Sequence, residues 1–284
     1  MIKDAGILFI FQLLNPSMEI FKITEATAPK IPIIISVPHA GTSIPEDIKS
    51  KMNPELSDKL DDTDWFIDKL YGFAPEIGIT IIKANYSRWV VDLNRNPENL
   101  PLYNDGRVIT DVVTITDFNG NQIYKNDYIP ASQEVARRVE LFHKPYHEKL
   151  DELLQQTKAK FGKVLLFDAH SIRKSVPGIR SEDFPDLILG DNDETSANPE
   201  LIKVTIDSLQ NKGYEFSHNH PFKGGYITRS FGKPAENIHA LQLEMCKTNY
   251  MDSSEMTYDE TNAERIKVIL KETLINLIEK MKFI

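Results

Sequence analysis

Residues 31–41 read Ile-Pro-Ile-Ile-Ile-Ser-Val-Pro-His-Ala-Gly, and residues 163–171 read Lys-Val-Leu-Leu-Phe-Asp-Ala-His-Ser. Each is a near-continuous apolar run of strand length that ends in a histidine, His39 and His170. Such runs are buried strands, and in open α/β sheets ligands bind outside the carboxyl ends of the strands. Two imidazoles carried to strand ends point to a site there rather than to a core. In the second run Asp168 and His170 are two apart and share a strand face, so Asp168 can orient His170 or join it as a ligand.

Working outward, β-rich runs alternate with helical ones. Asp64 to Phe73 reads as a helix, Ile79 to Ala84 and Arg88 to Leu93 as strands, and Val108 to Tyr124 as a hairpin turning at Asn119-Gly120. Ser132 to Lys160 is a long amphipathic helix that Pro145 must kink or split. Asn198 to Gln210 follows as a helix with Pro199 in its first turn, then strands Tyr214–Ser217 and Ile238–Met245, and a closing helix Thr261–Lys282. The alternation predicts one α/β domain over 18–284 with a mixed sheet. Residues 1–17 are an apolar stretch too short to span a membrane and lacking a small-x-small cleavage site, and they read as an extension outside the domain.

The 42 Asp and Glu against 33 Lys and Arg give a formal charge of −9. That field repels phosphate backbones and anionic lipid, so nucleic acid and membrane surfaces are poor partners. A small acidic substrate would need a local arginine cluster. The single cysteine, Cys246, excludes an intrachain disulfide and a cysteine zinc cage, and points to a reducing, cytoplasmic setting. The oligomeric state is not legible.

Further polar residues interrupt apolar surroundings. Glu244 stands within Leu-Gln-Leu-Glu-Met, where a carboxylate needs a partner, and Asp62 and Asp64 open a helical segment. Two imidazoles and a carboxylate make a zinc site with an open fourth position, where water becomes acidic enough to ionise near neutrality. A separate glutamate then serves as general base. His39, His170, Glu244 and either Asp62 or Asp64 supply the parts. Each also has a plain reading: helix N-terminal residues for the two aspartates, a turn residue for His39, a salt-bridged core carboxylate for Glu244. Arg88, Asn94-Arg95 and Arg229 stand at segment ends where a guanidinium fork could hold a carboxylate, or could pair with nearby acidic side chains. His143 and His147, four apart, and His218 and His220, two apart, have ligand-capable spacing, though such pairs are more often structural. No Gly-x-Ser-x-Gly elbow surrounds Ser43 or Ser171, which speaks against a serine hydrolase.

Together these segments resemble the N-formylglutamate amidohydrolase family. The resemblance runs through Val-Pro-His39-Ala-Gly41, Asp62-Thr-Asp64-Trp65, Ser87-Arg88 to Asn94-Arg95-Asn-Pro97, Pro145-Tyr-His147, Asp168-Ala-His170-Ser171, Pro185 to Gly190, Phe222 to Arg229 and His239 to Glu244. It implies a phosphorylase/hydrolase-like three-layer α/β/α sandwich, related to zinc carboxypeptidases. It further implies one zinc ion on His39, His170 and Asp64 (Asp62 as the alternative), Glu244 as base, Arg88 at the oxyanion, and Asn94, Arg95 and Arg229 on the substrate. The expected reaction is hydrolysis of N-formylglutamate to formate and glutamate. The rival expectations are a deacylase or carboxypeptidase for another N-acyl acidic amino acid or peptide, and a non-catalytic protein that binds an acidic ligand.

Overall fold

The computed structural model describes residues 18–102, 110–126 and 128–284. Its centre is a seven-stranded sheet of β1 (Phe21–Thr24), β2 (Ile33–Val37), β3 (Thr80–Ala84), β4 (Val164–Ile172), β5 (Leu187–Gly190), β6 (Phe216–His218) and β7 (Ile238–Cys246), in the order β1-β3-β2-β4-β7-β5-β6. The four central strands β3, β2, β4 and β7 run parallel. Edge strand β1 is antiparallel to β3, and β5 is antiparallel to β7. The helices are α1 (Glu46–Lys49), α2 (Pro54–Ser57), α3 (Ile67–Leu70), α4 (Ser132–Arg138), α5 (Lys144–Phe161), α6 (Pro199–Leu209), α7 (Tyr226–Phe231) and α8 (Glu260–Met281).

Side chains alternate across a strand, so a strand buried on both faces must be apolar throughout. Ile33, Ile35, Leu165, Phe167, Leu241 and Leu243 face one core with Leu70 of α3, Leu201 of α6 and Leu270 and Leu277 of α8. Ile34, Ile82, Leu166 and Ala240 face the other with Tyr146, Leu150 and Leu154 of α5 and Ile227 of α7. Helices therefore cover both faces of a mixed sheet, which is the α/β sandwich expected. A third, smaller cluster of Ile172, Val176, Phe184, Ile188 and Cys246 gathers at the carboxyl ends of β4 and β7.

Several expectations need correction. Asp64 to Phe73 holds only the single turn α3, because Phe66 has a left-handed backbone at φ 64° that an α-helix cannot contain. Arg88 to Leu93 is a series of turns rather than a strand; Val90 N donates to Ser87 O and Asp92 N to Val112 O. The hairpin is reduced to a tight turn: Thr116 bridges Gln122, and Asp117 accepts from Asn119 N and Asn121 N around Gly120. Its first residues, 108 and 109, lie outside the described residues, as do residues 1–17. β1 and β5 were not legible as strands. The long helix does split: a π turn, Val139–His143, separates α4 from α5 just before Pro145, which has no N–H to continue the ladder.

Candidate active site

The carboxyl ends of the parallel strands bring the predicted residues together. Within β4 and β7 the register places His170 directly beside Glu244, and Asp168 beside Gln242. His39 follows β2 by two residues. Asp64 reaches it through a backbone bond from Asp64 N to His39 O, 3.0 Å. Asp64 Oδ2 then lies 3.2 Å from His170 Nδ1 and 3.8 Å from His39 Nδ1. One ligand atom each from His39, Asp64 and His170 falls within 4.8 Å of the others, and all three residues are buried.

The opposite ring nitrogens decide what those atoms can do. His39 Nε2 donates to Asp92 Oδ1 at 2.8 Å, and His170 Nε2 to Asp168 Oδ2 at 2.9 Å. In the neutral form that these partners favour, with the proton on Nε2, each Nδ1 turns a lone pair toward Asp64. In that form three acceptors face one another and suit a cation, a proton on His170 being the alternative, and a carboxylate behind each imidazole is the usual support of a metal-bound histidine. Charge points the same way. Asp64, Asp92, Asp168 and Glu244 surround the pair of rings, and the Arg88 guanidinium is bonded among them, Nη2 to Asp92 Oδ2 at 2.7 Å. Burial works against a charge on His170, yet Asp168, Asp64 and Glu244 hold its pKa well above the ordinary range. Burial and the Arg88 charge push His39 down. Asp92 is buried as well, but Arg88 and His39 keep it well below the usual carboxylate range. Glu244 is pushed up to about 8 by burial, with the His170 charge pulling it down and the Asp64 carboxylate pushing it further up.

Asp62 is engaged elsewhere. It accepts from Trp89 Nε1 at 2.8 Å and from Phe118 N at 3.2 Å, and burial raises its pKa. It braces the 88–92 turns, while Asp64 is the aspartate that meets the histidines.

These groups open into a cavity of about 970 Å³ whose wall includes His39, Asp64, Arg88, Asn94, Arg95, His170 and Glu244. Asn94 is fixed at both ends of its amide: Oδ1 accepts from Ile227 N at 2.8 Å, and Nδ2 stands 3.1 Å from His170 Nε2 and 3.4 Å from Gln242 Oε1. Gly225 permits this, since a Cβ there would lie 2.3 Å from Asn94 Nδ2. Arg95 bonds Thr110 Oγ1 at 3.2 Å and stays on the wall. Arg229 is not among the described residues that line the cavity; its Nε donates to Gly224 O at 2.8 Å, which braces the glycine loop.

Sequence reading missed four contributors. Asp92 lies between Arg88 and Asn94, and nothing local ties it to His39, 53 residues away. Gln242 accepts from Gly225 N at 2.8 Å and ties that loop to β7. His143 and His147 stack at 4.1 Å and donate Nε2–H to Arg95 O and Leu93 O, the carbonyls on either side of Asn94. Their spacing was visible, but it serves hydrogen bonds rather than a metal. Arg180 and His220 also line the cavity, whereas His218 bonds the buried Asp191 at 2.7 Å.

Comparison with known proteins follows the same lines. A sequence model described as N-formylglutamate amidohydrolase matches residues 31–251. N-formylglutamate deformylase of Pseudomonas putida is 38% identical over 251 residues, 88% of this chain and 93% of the relative, and that of Pseudomonas aeruginosa matches equally. The crystal structure of an N-formylglutamate amidohydrolase from Ralstonia eutropha JMP134 superposes with a TM-score of 0.76 at 25% identity, covering 93% of this chain and 98% of that one. An Agrobacterium tumefaciens protein at 15% identity shares the fold, with a TM-score of 0.73.

Proposed function

Because the chain belongs to the N-formylglutamate amidohydrolase family, we propose that it hydrolyses N-formylglutamate to formate and glutamate with one zinc ion held by His39, Asp64 and His170. The observation that carries the reading is the convergence of three lone-pair atoms, two imidazole and one carboxylate, beside a further carboxylate on the next strand. When bound, the ion supplies positive charge that polarises the formyl carbonyl and acidifies water.

The chain's own groups do the rest. Glu244, next to His170 across the strand pair, takes a proton from the attacking water as its oxygen bonds to the formyl carbon. Arg88, fixed by Asp92 and packed over the Phe118 ring at 4.7 Å, offers guanidinium N–H groups to the oxygen that gains charge. Glu244 then returns the proton to the nitrogen as the carbon–nitrogen bond breaks, leaving formate and free amine. Asp92 and Asp168 keep the two imidazoles in the Nδ1-facing tautomer. Arg95 takes the substrate carboxylate next to the scissile amide, since its neighbour Asn94 touches the His170 ring. The single buried cysteine and the charge of −9 suit a cytoplasmic enzyme of small-molecule metabolism.

The test is metal analysis of the purified protein together with formate release from formyl-, acetyl- and peptidyl-glutamate and -aspartate. About one zinc per chain and fastest turnover of N-formylglutamate are expected. Zinc-loaded protein that releases neither acid nor amine from any of them would replace an enzyme with a binding protein.

A further inference from the structure

Resting on the reading of an acidic N-acyl amino acid as substrate, we propose that Arg180 is the specificity residue that holds the substrate's side-chain carboxylate. A dianion entering this cavity meets Asp64, Glu244 and Glu182, in a chain already at −9. Burying a carboxylate without a partner is expensive, so each of its two carboxylates needs a cation. Among the described residues the arginines on the wall are Arg88, Arg95 and Arg180. Arg88 is bonded to Asp92, and Arg95 lies next to Asn94 at the histidines, where the carboxylate beside the amide must be. Arg180 is left for the carboxylate two carbons further out.

Its own surroundings favour that role. Among the described residues Arg180 Nη2 is paired with Glu182, at a long 3.6 Å, and the Glu182 side chain is 73% exposed, so the pair is weak and gives way to a better acceptor. Nη1 has no hydrogen-bond partner among the described residues. The residue is nevertheless held in place. Arg180 N donates to Val176 O, Phe184 N donates to Lys174 O, and the guanidinium carbon sits 5.4 Å from the Phe184 ring centre. Val176 and Phe184 are buried in the third small core, and Phe184 stacks on Phe222 at 5.3 Å. Gly178 lets the loop press on the opposite wall, where a Cβ would stand 2.1 Å from Phe118 O. A preorganised cation with unused donors on a rigid loop is what selective recognition of an anion requires.

The experiment compares kcat/KM for N-formylglutamate and N-formylglutamine in the zinc-loaded wild type, Arg180→Gln and Arg180→Lys. The wild type is expected to prefer the glutamate substrate strongly, Arg180→Gln to lose at least ten-fold of that preference through a raised KM, and Arg180→Lys to recover part of it. If Arg180→Gln lowers both substrates alike, or leaves the ratio unchanged, the assignment to Arg180 is overturned while the enzymatic reading stands. A wild type that hydrolyses neither compound overturns the enzymatic reading itself, and this inference with it.

Discussion

At the residue scale the division of labour between Asp62 and Asp64 is the sharpest outcome. The two are chemically identical and two positions apart, yet Asp64 stands 3.2 Å from His170 Nδ1 while Asp62 holds the Trp89 indole. Replacing Asp64 by Asn should therefore remove a charged ligand and lower zinc content to well under half. Asp62→Asn should leave zinc content near that of the wild type and act mainly on stability, by about 1–3 kcal/mol. Metal analysis after gel filtration distinguishes them. For Glu244→Gln the expectation is a normal metal load with kcat reduced roughly 10²–10⁴-fold, the range a positioned acid–base group contributes. Turnover close to that of the wild type in that variant would take the proton-transfer role away from Glu244.

At the element scale the segment 93–95 depends on its neighbours. It is a turn, without a strand partner among the described residues, and it is held by imidazoles from the π turn and α5 and by the N-terminus of α7. The wide turn before Pro145 sets the end of α4 against the start of α5, with His143 at the last position of the π turn and His147 one turn beyond. Substituting His147 by Phe retains an aromatic ring beside Phe231 but leaves the Leu93 carbonyl unpaired. A fall of about ten-fold in kcat/KM with unchanged zinc content is expected, in line with losing one buried hydrogen bond. Gly225→Ala acts from the other side. Its Cβ would displace the Asn94 amide, and a shift of that size in a positioning group costs on the order of 100-fold in rate. Steady-state kinetics with metal analysis checks both.

At the scale of the whole molecule, buried neutral histidines tie stability to pH. Burial, with the nearby Lys163 charge, brings His239 down to about 4, and burial, with His143, brings His147 down to about 3. Each folded value lies below the unfolded one near 6.5, so the unfolded chain binds more protons between them. The stability these groups contribute is complete above about pH 6.5 and is lost as pH falls toward 4. Urea unfolding at pH 7 and pH 5 should show a drop on acidification, and His239→Leu should reduce that drop. A variant with the wild-type pH dependence would mean that His239 does not titrate this way. No helix among the described residues is long and apolar enough to cross a membrane.

The strands were legible because a period of two on both faces requires unbroken apolar runs, and that condition is local. β2, β4 and β7 could be placed, as could the histidines and the glutamate at or just beyond their ends. α6 and α8 were legible for a similar reason, since an apolar stripe runs along each and Pro199 marks the first turn of α6; the structure adds the caps Asn198 and Asp259. Beyond that reach, only the tertiary structure could decide. Which aspartate meets the two histidines depends on a backbone bond to His39. Whether Arg229 reaches the cavity depends on how α7 packs, and the support of His39 depends on a contact across 53 residues. Arg88 to Leu93 looked like a strand because its apolar residues fill a core, as a strand's do. Burial alone does not determine backbone form, and here the backbone bonds run from Val90 N to Ser87 O and from Asp92 N to Val112 O rather than along a ladder.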